Sequence, residues 1–346
     1  MAILSACYVV FLYSLSLSGK KGAKQALMNV PLVLQEVIVG ITTGSIYALI
    51  ALGYTMVYGI IELINFAHGD VFMVGSFIAI AVVGLLGVTA SSQLSGPVLV
   101  GVLVLACLVS MAVCAVLGVV IERVAYRPLR NAPRLAPLIS AIGVELILED
   151  IGKLWKGINY ITFPNILPTV TYNVGPINFS NINILVLVVA VALMFGLHWL
   201  VNYTSIGRAM RAVAQDREAA ALMGVNVDRI ISFTFFVGSA LAGAAGFIFL
   251  LQFTDTIFYI GFELGLIAFT AAVLGGIGNI VGAMLGGILI GIIEALSTLI
   301  PDSSNGGFGL PHGGAAWHDA IIFAILILIL VFRPSGLLGQ QVPEKV

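Results

Sequence analysis

Long apolar runs separated by short polar stretches recur along the whole chain. Two of them, Leu32–Ala67 and Glu263–Ile300, are too long for one helix across a core about 30 Å thick, so each predicts a pair of helices. Six further runs predict one crossing each: Val71–Val88, Pro97–Ile121, Ala136–Ile151, Ile182–Val201, Ile230–Leu251 and a last helix ending at Phe332. The pattern therefore predicts an all-α, polytopic transmembrane helix bundle with about ten core spans.

The first 18 residues are also apolar, but no basic segment precedes them and no clear cleavage site lies before Lys20. A cleaved signal peptide is therefore disfavoured. The segment is either an extra span or an extension that the working protein lacks. We accordingly divide the chain into a possible extra N-terminal segment with a basic linker at 1–31 and a transmembrane domain at 32–346.

Composition supports a membrane protein. Of the 346 residues, 60% are hydrophobic and 9% are charged, against about 25% charged in soluble domains. The apolar runs leave no room for a sizeable soluble domain, so any ATPase must be a separate chain. A net charge of −1 gives no indication of nucleic-acid binding.

Signs of catalytic or metal chemistry are absent from the sequence. The cysteines Cys7, Cys107 and Cys114 lie in apolar runs and the histidines are scattered, so neither predicts a metal site. The phosphate-binding pattern G-x-x-x-x-G-K-[ST] does not occur, and no Ser, His and acid set has credible spacing. We predict no catalytic residues, no metal and no cofactor.

The most polar stretch, 203–229, interrupts the apolar pattern with four arginines. Thr204 or Ser205 can cap a helix there, Gly224 can end it, and no proline lies between, which predicts one helix over 208–223. Its residues at steps of three and four form a stripe, namely Arg208, Arg211, Gln215, Glu218 and Leu222.

Charge predicts the sidedness of this helix, because cytoplasmic loops accumulate Lys and Arg. Eleven alternating crossings with the first residue outside put all 15 lysines and arginines inside except Lys153 and Lys156. Lys20, Lys21 and Lys24 fall inside in this scheme. The arginine-rich helix is therefore predicted to be cytoplasmic.

A weak internal similarity at an offset of 217 residues suggests two duplicated halves. It pairs Gly44 with Gly261, Leu49-Ile50-Ala51 with 266–268, Gly59-Ile60 with 276–277, and Gly69 with Gly286. Many transporters contain such repeats. The relative orientation of the halves stays open.

Five segments carry a resemblance to a known family. They are YGIIELINFAHGDVFMVGSF at 58–77, IERVAYRPLR at 121–130, LISAIGV at 138–144, GRAMRAVAQDREAAALMGVNVDR at 207–229 and FTAAVLGGIGNIVGAMLGG at 269–287. Together they resemble the inner-membrane permease subunits of branched-chain amino acid ABC importers, from about Leu34 to the C-terminus. Within them E-A-A-x-x-x-G at 218–224 is similar to the loop by which ABC importer permeases dock on their ATPases.

This resemblance implies a multi-pass protein of the bacterial inner membrane with four kinds of partner. They are a second related permease subunit, two cytoplasmic ATP-binding subunits, a periplasmic substrate-binding protein and a small neutral amino acid. It also implies that 208–223 is a coupling helix whose contact residues are Arg208, Arg211, Asp216, Glu218, Ala219, Ala220 and Gly224. The chain departs from the pattern in its N-terminal segment and in lacking an I-x-L-P ending after Gly224, and the second departure leaves the docking register open. Taken alone, the short E-A-A-x-x-x-G match has a solvated loop helix as its alternative.

Two groups of polar residues lie within the apolar runs. The densest group is Glu62, Asn65, His68 and Asp70. Polar residues kept inside a membrane are costly and usually pair or line a wet cavity, but Gly69 and the topology favour a capped cytoplasmic turn between helices. Zwitterionic amino acids with apolar side chains suit a mostly uncharged pathway, for which the candidate lining residues are Thr42, Thr43, Ser45, Tyr47 and Tyr54.

Three alternatives to this function remain. A permease of the same importer class that carries urea or short amides would show the same motifs. A stand-alone secondary carrier would need an acid near the membrane midplane, for which Glu145 and Glu294 are the candidates. A membrane enzyme is the third, although the polar helix contains no nucleophile.

Overall fold

The computed structural model describes residues 19–339 except 90, 91, 93–95, 131, 134, 176 and 301–309, and of residues 19–29 the backbone alone. The predicted extra span over residues 1–18 therefore lies outside the described residues.

The described chain is mostly helical. In chain order its α-helices are α1 Gly19–Ile61, α2 Ala67–Leu85, α3 Gly96–Ile121, α4 Leu135–Lys156, α5 Asn181–Tyr203, α6 Ser205–Gln215, α7 Arg217–Leu222, α8 Val227–Phe253, α9 Ile260–Gly275, α10 Ile280–Ser297 and α11 His318–Phe332. A π-helix over Glu122–Tyr126 and a 3₁₀ turn over Arg127–Leu129 follow α3, and a second 3₁₀ turn over Gly314–Trp317 precedes α11.

Four short strands lie away from the arginines. They are β1 Ile161–Thr162, β2 Thr171–Val174, β3 Ile177–Ser180 and β4 Asp255–Thr256. β1 pairs antiparallel with β4, and β2 pairs antiparallel with β3 as a hairpin. The backbone N–H of Asn178 donates to the side chain of Gln35, which ties this hairpin to α1.

Seven helices of the described part are long and apolar enough to cross a membrane, and α9 is a shorter apolar helix. The all-α, polytopic fold is therefore confirmed, whereas the count of about ten core spans is not. The prediction of two helices within Leu32–Ala67 is wrong, because α1 continues without a break to Ile61. The apolar part of α1, Val30–Ile61, has 32 residues and rises about 48 Å, more than one bilayer core.

The glycines of α1 explain this error. They do not form a turn but give α10 room to approach: a Cβ built on Gly44 would lie 2.8 Å from the carbonyl oxygen of Gly287, and one on Gly40 would lie 2.8 Å from that of Gly291. With one crossing fewer, the assignment of Lys20, Lys21 and Lys24 to the cytoplasmic side no longer follows.

The second long run, Glu263–Ile300, does contain two helices, α9 and α10. The turn between them uses Gly276 and Gly278, whose φ angles of +105° and +92° are rare for residues with a side chain. Asn279 then caps α10 by accepting a hydrogen bond from the N–H of Gly282 at 3.1 Å. The predicted pair of helices in this run is confirmed.

Small residues also join α3 to α8 along the bundle. Cβ atoms built on Gly118 and Gly243 would overlap Ser239 and Cys114 respectively, so these two helices pack almost backbone to backbone. Most side chains of α8 are buried, whereas α11 buries only Ile322 among its described residues. The core is thus centred on α1 and α8.

Two helices, α2 and α9, begin inside the bundle. The ring of His68, at the start of α2, lies against Gly53, which is eight residues and about 12 Å of helix rise before the end of α1. At the same level Gly69 packs against Gly261 and Gly265 of α9. The N-termini of both helices therefore meet in the interior.

The ends of the bundle differ in charge. The described arginines lie at one end, with the turns that follow α1, α3, α5 and α9. Lys153 and Lys156 lie at the other end, where Lys153 stacks over the ring of Phe258 at 4.8 Å. We call these the arginine end and the outer end. Because cytoplasmic loops accumulate Lys and Arg, the arginine end is the predicted cytoplasmic one.

Candidate coupling surface and buried polar residues

The arginine-rich stretch forms two helices rather than one. α6 begins after Thr204, whose hydroxyl accepts from the N–H of Gly207 at 3.0 Å. Asp216 then leaves helical geometry, with φ −156° and ψ +113°. Its carboxylate accepts from the N–H groups of Glu218 and Ala219, at 2.9 and 3.0 Å, and so caps α7.

The predicted single helix over 208–223 is therefore wrong in its continuity. Aspartate competes for backbone N–H groups better than most residues, which makes it a favourable N-cap and a poor helix interior residue. The break also divides the predicted stripe, since Arg208 and Arg211 lie on α6 and Glu218 on α7. Gly224, at φ +84°, ends α7 as predicted.

Most of the predicted coupling residues are exposed at the arginine end. The exception is Ala220, which is only 3% exposed and faces the helix bundle rather than solvent. The exposed members are Arg208, Arg211, Asp216, Glu218, Ala219 and Gly224. We call α6, α7 and the turn to Gly224 the coupling surface.

The inward side of the coupling surface is anchored on the bundle. Met210, Val213 and Ala220 are buried. The guanidinium of Arg217 donates to the carbonyl oxygen of Ile60 at 2.8 Å, and that of Arg211 donates to the carbonyl oxygen of Val201. Movement of these short helices is thereby linked to the ends of α1 and α5.

Two apolar residues at the end of α7 were not among the predicted contacts. Leu222 and Met223 are 88% and 85% exposed, although they lie outside the long apolar runs. Exposed large apolar residues beside charged ones are a feature of binding surfaces. The sequence signal was present, because two large apolar residues directly precede the glycine that ends a polar helix.

A cavity of about 520 Å³ lies between α7 and the bundle. Its polar lining comes from the end of α1, the turn before α4, and α7, and includes Glu62, Arg130, Asp216, Arg217 and Glu218. The coupling surface therefore borders a polar recess and does not pack flat on the membrane helices.

The candidate pathway residues all lie on α1, inside the single chain. Each is at most 6% exposed. The hydroxyls of Thr42 and Ser45 donate to carbonyl oxygens of their own helix, those of Ile38 at 3.0 Å and Ile41 at 2.7 Å. Thr43 and Tyr47 are buried beside them, and Tyr54 borders a space of about 10 Å³. Their role as a lining stays a prediction.

The polar group at the start of α2 is more deeply placed than a surface turn. Glu62 is exposed and has φ +60°, but Asn65, His68 and Asp70 are at most 2% exposed. The His68 and Tyr54 rings stack edge to face with centroids 4.9 Å apart. Glu62 thus lies in an exposed turn, whereas the interpretation as a surface turn is wrong for the other three; the cytoplasmic side of the turn stays a prediction.

Asp70 lies where two helices begin. It is in the first turn of α2, and a Cβ built on Gly261 in the first turn of α9 would overlap its carboxylate. Neither carboxylate oxygen has a hydrogen-bond partner among the described residues. Helix N-termini carry partial positive charge, so their meeting offsets part of the cost of burying this group.

The acids that a secondary carrier would need are separated. Glu145 is 7% exposed on α4, and Glu294 lies on α10, where it interacts with Tyr47 of α1. Glu294 is thus next to the candidate pathway residue Tyr47, and Glu145 is close enough to Tyr54 and Asp70 to interact with both electrostatically.

The helices, the two polar ends and the exposed capped helices define a multi-span membrane protein of the transport-permease class. The family model for the branched-chain amino acid transport system permease component matches residues 37–330. The chain belongs to this family.

Individual relatives match along nearly their whole length. The high-affinity branched-chain amino acid transport system permease protein BraD of Pseudomonas aeruginosa is 43% identical over 317 residues, 90% of this chain and 98% of that protein. The permease protein LivH of Escherichia coli K12 is 42% identical over 321 residues, 90% and 97% of the two chains. A probable LivH of Methanocaldococcus jannaschii is 32% identical over 302 residues. No solved structure matches the chain.

Proposed function

We propose that this chain is the membrane permease subunit of an ABC importer that moves branched-chain or other neutral amino acids across the bacterial inner membrane. The observation that carries the proposal is the match to permeases named for branched-chain amino acid transport, over 90% of this chain at 43% identity. ATP is hydrolysed by separate subunits, and a periplasmic binding protein delivers the substrate.

The coupling surface is the proposed docking site for a cytoplasmic ATP-binding subunit. It is exposed, it lies at the arginine end, and its two short helices are each fixed by a side-chain cap. Burial of Leu222 and Met223 in a partner groove would contribute up to about 1.5–3 kcal/mol each. Arg208 and Arg211 on α6 and Glu218 on α7 are exposed on the same surface, and their charges can set the register of docking.

Transport is tested with the complete importer reconstituted in liposomes. Binding protein loaded with leucine, isoleucine or valine should stimulate ATP hydrolysis and produce ATP-dependent uptake. The same uptake assay is repeated with urea and acetamide as the alternative substrates. Uptake of these amides alone would move the chain to the amide-carrying members of the class, and uptake without ATP would contradict the importer assignment.

Docking is tested with two leucines of equal exposure. Leu222 and Leu85 are both 88% exposed, but Leu222 ends α7 at the arginine end and Leu85 ends α2 at the outer end. Leu222→Ser should lower copurification of the ATP-binding subunits, whereas Leu85→Ser should leave it at the wild-type amount. Equal copurification in both variants would contradict docking through α7.

A further inference from the structure

The cytoplasmic end of α3 changes helix type. Its last turn passes into the π-helix Glu122–Tyr126 and then into the 3₁₀ turn Arg127–Leu129. This change brings two polar side chains inward, since Glu122 is 0% and Tyr126 1% exposed. Short π-helical segments occur often at functional sites, and a buried carboxylate requires partners.

Glu122 obtains its partners from a cluster that joins α3 to α8. Arg130 forms ion pairs with both Glu122 and Asp228, and Arg127 forms a second one with Asp228. The hydroxyl of Ser232 donates to the other oxygen of Glu122 at 2.7 Å. We call these five residues the charge cluster. The Arg130 side chain at its centre is only 14% exposed.

One side of the charge cluster meets the coupling surface. Asp228 lies in the first turn of α8, six residues after the end of α7 at Leu222. Asn226 fixes that turn by accepting from the N–H of Arg229 at 3.0 Å. Arg130 and Glu218 also border the same cavity. A displacement of α7 is thus applied directly to the residues that hold Arg130.

The opposite side of the π-helix meets the buried start of α2. The Tyr126 phenol donates to the side-chain oxygen of Asn65 at 2.9 Å. The backbone carbonyl of Asn65 in turn accepts from the backbone N–H of His68 at 3.1 Å. The Tyr126 ring also packs on Phe235 of α8, with centroids 5.4 Å apart. The backbone that leads from α7 to Asp228, the charge cluster and the Tyr126–Asn65 hydrogen bond together connect the coupling surface to the interior N-terminus of α2.

We propose that the charge cluster and the Tyr126–Asn65 hydrogen bond transmit movement of the coupling surface to the start of α2, with Arg130 and Tyr126 as positioning residues. This inference rests on the proposed function. A purely structural cluster is an inefficient way to stabilise the bundle, because well-packed apolar residues often replace buried ion pairs without loss of stability. This cluster joins the segment that follows α3 to the first turns of α8, beside the coupling surface.

The test measures substrate transported per ATP hydrolysed in the complete importer. Tyr126→Phe removes one hydroxyl and keeps the ring, and Arg130→Lys keeps the charge but cannot bridge two carboxylates in the same way. Both variants should retain ATP-binding subunits at the wild-type ratio while transport per ATP falls at least fivefold. Tyr160→Phe is the matched control, because Tyr160 is exposed at the outer end, where its hydroxyl bonds Tyr259 at 3.0 Å.

Wild-type transport per ATP in both variants would overturn this inference and leave the proposed function intact. Loss of the ATP-binding subunits from the variants would also overturn it, because the residues would then act on docking. If the wild-type chain itself supports no substrate-stimulated ATP hydrolysis, the proposed function fails, and this result is distinct from either of the others.

Discussion

Removing the cap at Asp216 is the most direct test of how α7 is held in shape. α7 has only six residues, too few to be stable alone, and two of its first N–H groups are bonded by the Asp216 carboxylate. Replacement of an N-cap by alanine costs about 0.5–2 kcal/mol. Because a helix this short depends on its cap and on its contacts with the bundle, most of this cost should appear as loss of the docking-competent form.

We therefore expect Asp216→Ala to weaken binding of the purified ATP-binding subunit by about 2- to 30-fold, the factor that corresponds to that free energy. The assay is the dissociation constant for permease in nanodiscs. Asp216→Asn is the matched control, since asparagine is an equally good N-cap. Because its cap is kept, this variant should bind the ATP-binding subunit within about twofold of wild type. Unchanged binding in Asp216→Ala would refute the role of the cap, and equal losses in both variants would assign the effect to charge.

Three further predictions concern docking, packing and topology. Ala219→Trp changes an exposed site, so it should lower copurification of the ATP-binding subunit while the permease keeps its wild-type thermal stability. Ala220→Trp changes a site that is only 3% exposed, so it should lower the thermal stability of the permease itself. Gly287→Ala should lower the free energy of unfolding in detergent by about 1–3 kcal/mol because its Cβ would overlap Ala48, while Gly196→Ala, with nothing within 4 Å, should not. With the native cysteines replaced, a cysteine at Ala132 should react with impermeant thiol reagents only from the cytoplasm, and one at Asn173 only from outside; reaction of both from one side would contradict the assigned ends.

Sequence patterns predicted the helical class, the two polar ends and the α9–α10 turn because each depends on local properties. Run length and charge are visible along the chain, and two glycines with positive φ make a turn wherever they occur. The break at Asp216 was also within reach, since an aspartate followed by Glu218 and an alanine run is a favourable helix start. The stripe from Arg208 to Leu222 continues at helical spacing across Asp216 and therefore predicted one helix instead of two.

The single helix α1 and the buried position of Asp70 were not predictable in the same way. A glycine in an apolar run can make a turn or admit a neighbouring helix, and Gly44 does the second only because Gly287 lies opposite it. Likewise, nothing in the residues from Asn65 to Asp70 indicates that α2 begins inside the bundle. Both outcomes depend on partners more than 190 residues away in the chain.

Long-range contacts also give the suspected duplication an orientation. α2 approaches α9 where Gly69 packs against Gly261 and Gly265, and the 217-residue offset converts these contacts into Gly286 against Gly44 and Ala48. The observed contacts of α10 with α1 place Gly287 against the same two residues, a register one residue away. α1 and α9 both run toward the arginine end, where Gly59 and Gly278 approach each other. A duplication at this offset would make the halves parallel, with equivalent contacts between them, whereas Asp70 and the Tyr126–Asn65 bond belong to the first half alone. On the proposed route, a displacement that reaches α2 through Asn65 would have no counterpart at α10, where Asn279 caps the helix directly, so the coupling surface would act on an asymmetric pair of otherwise similar helices.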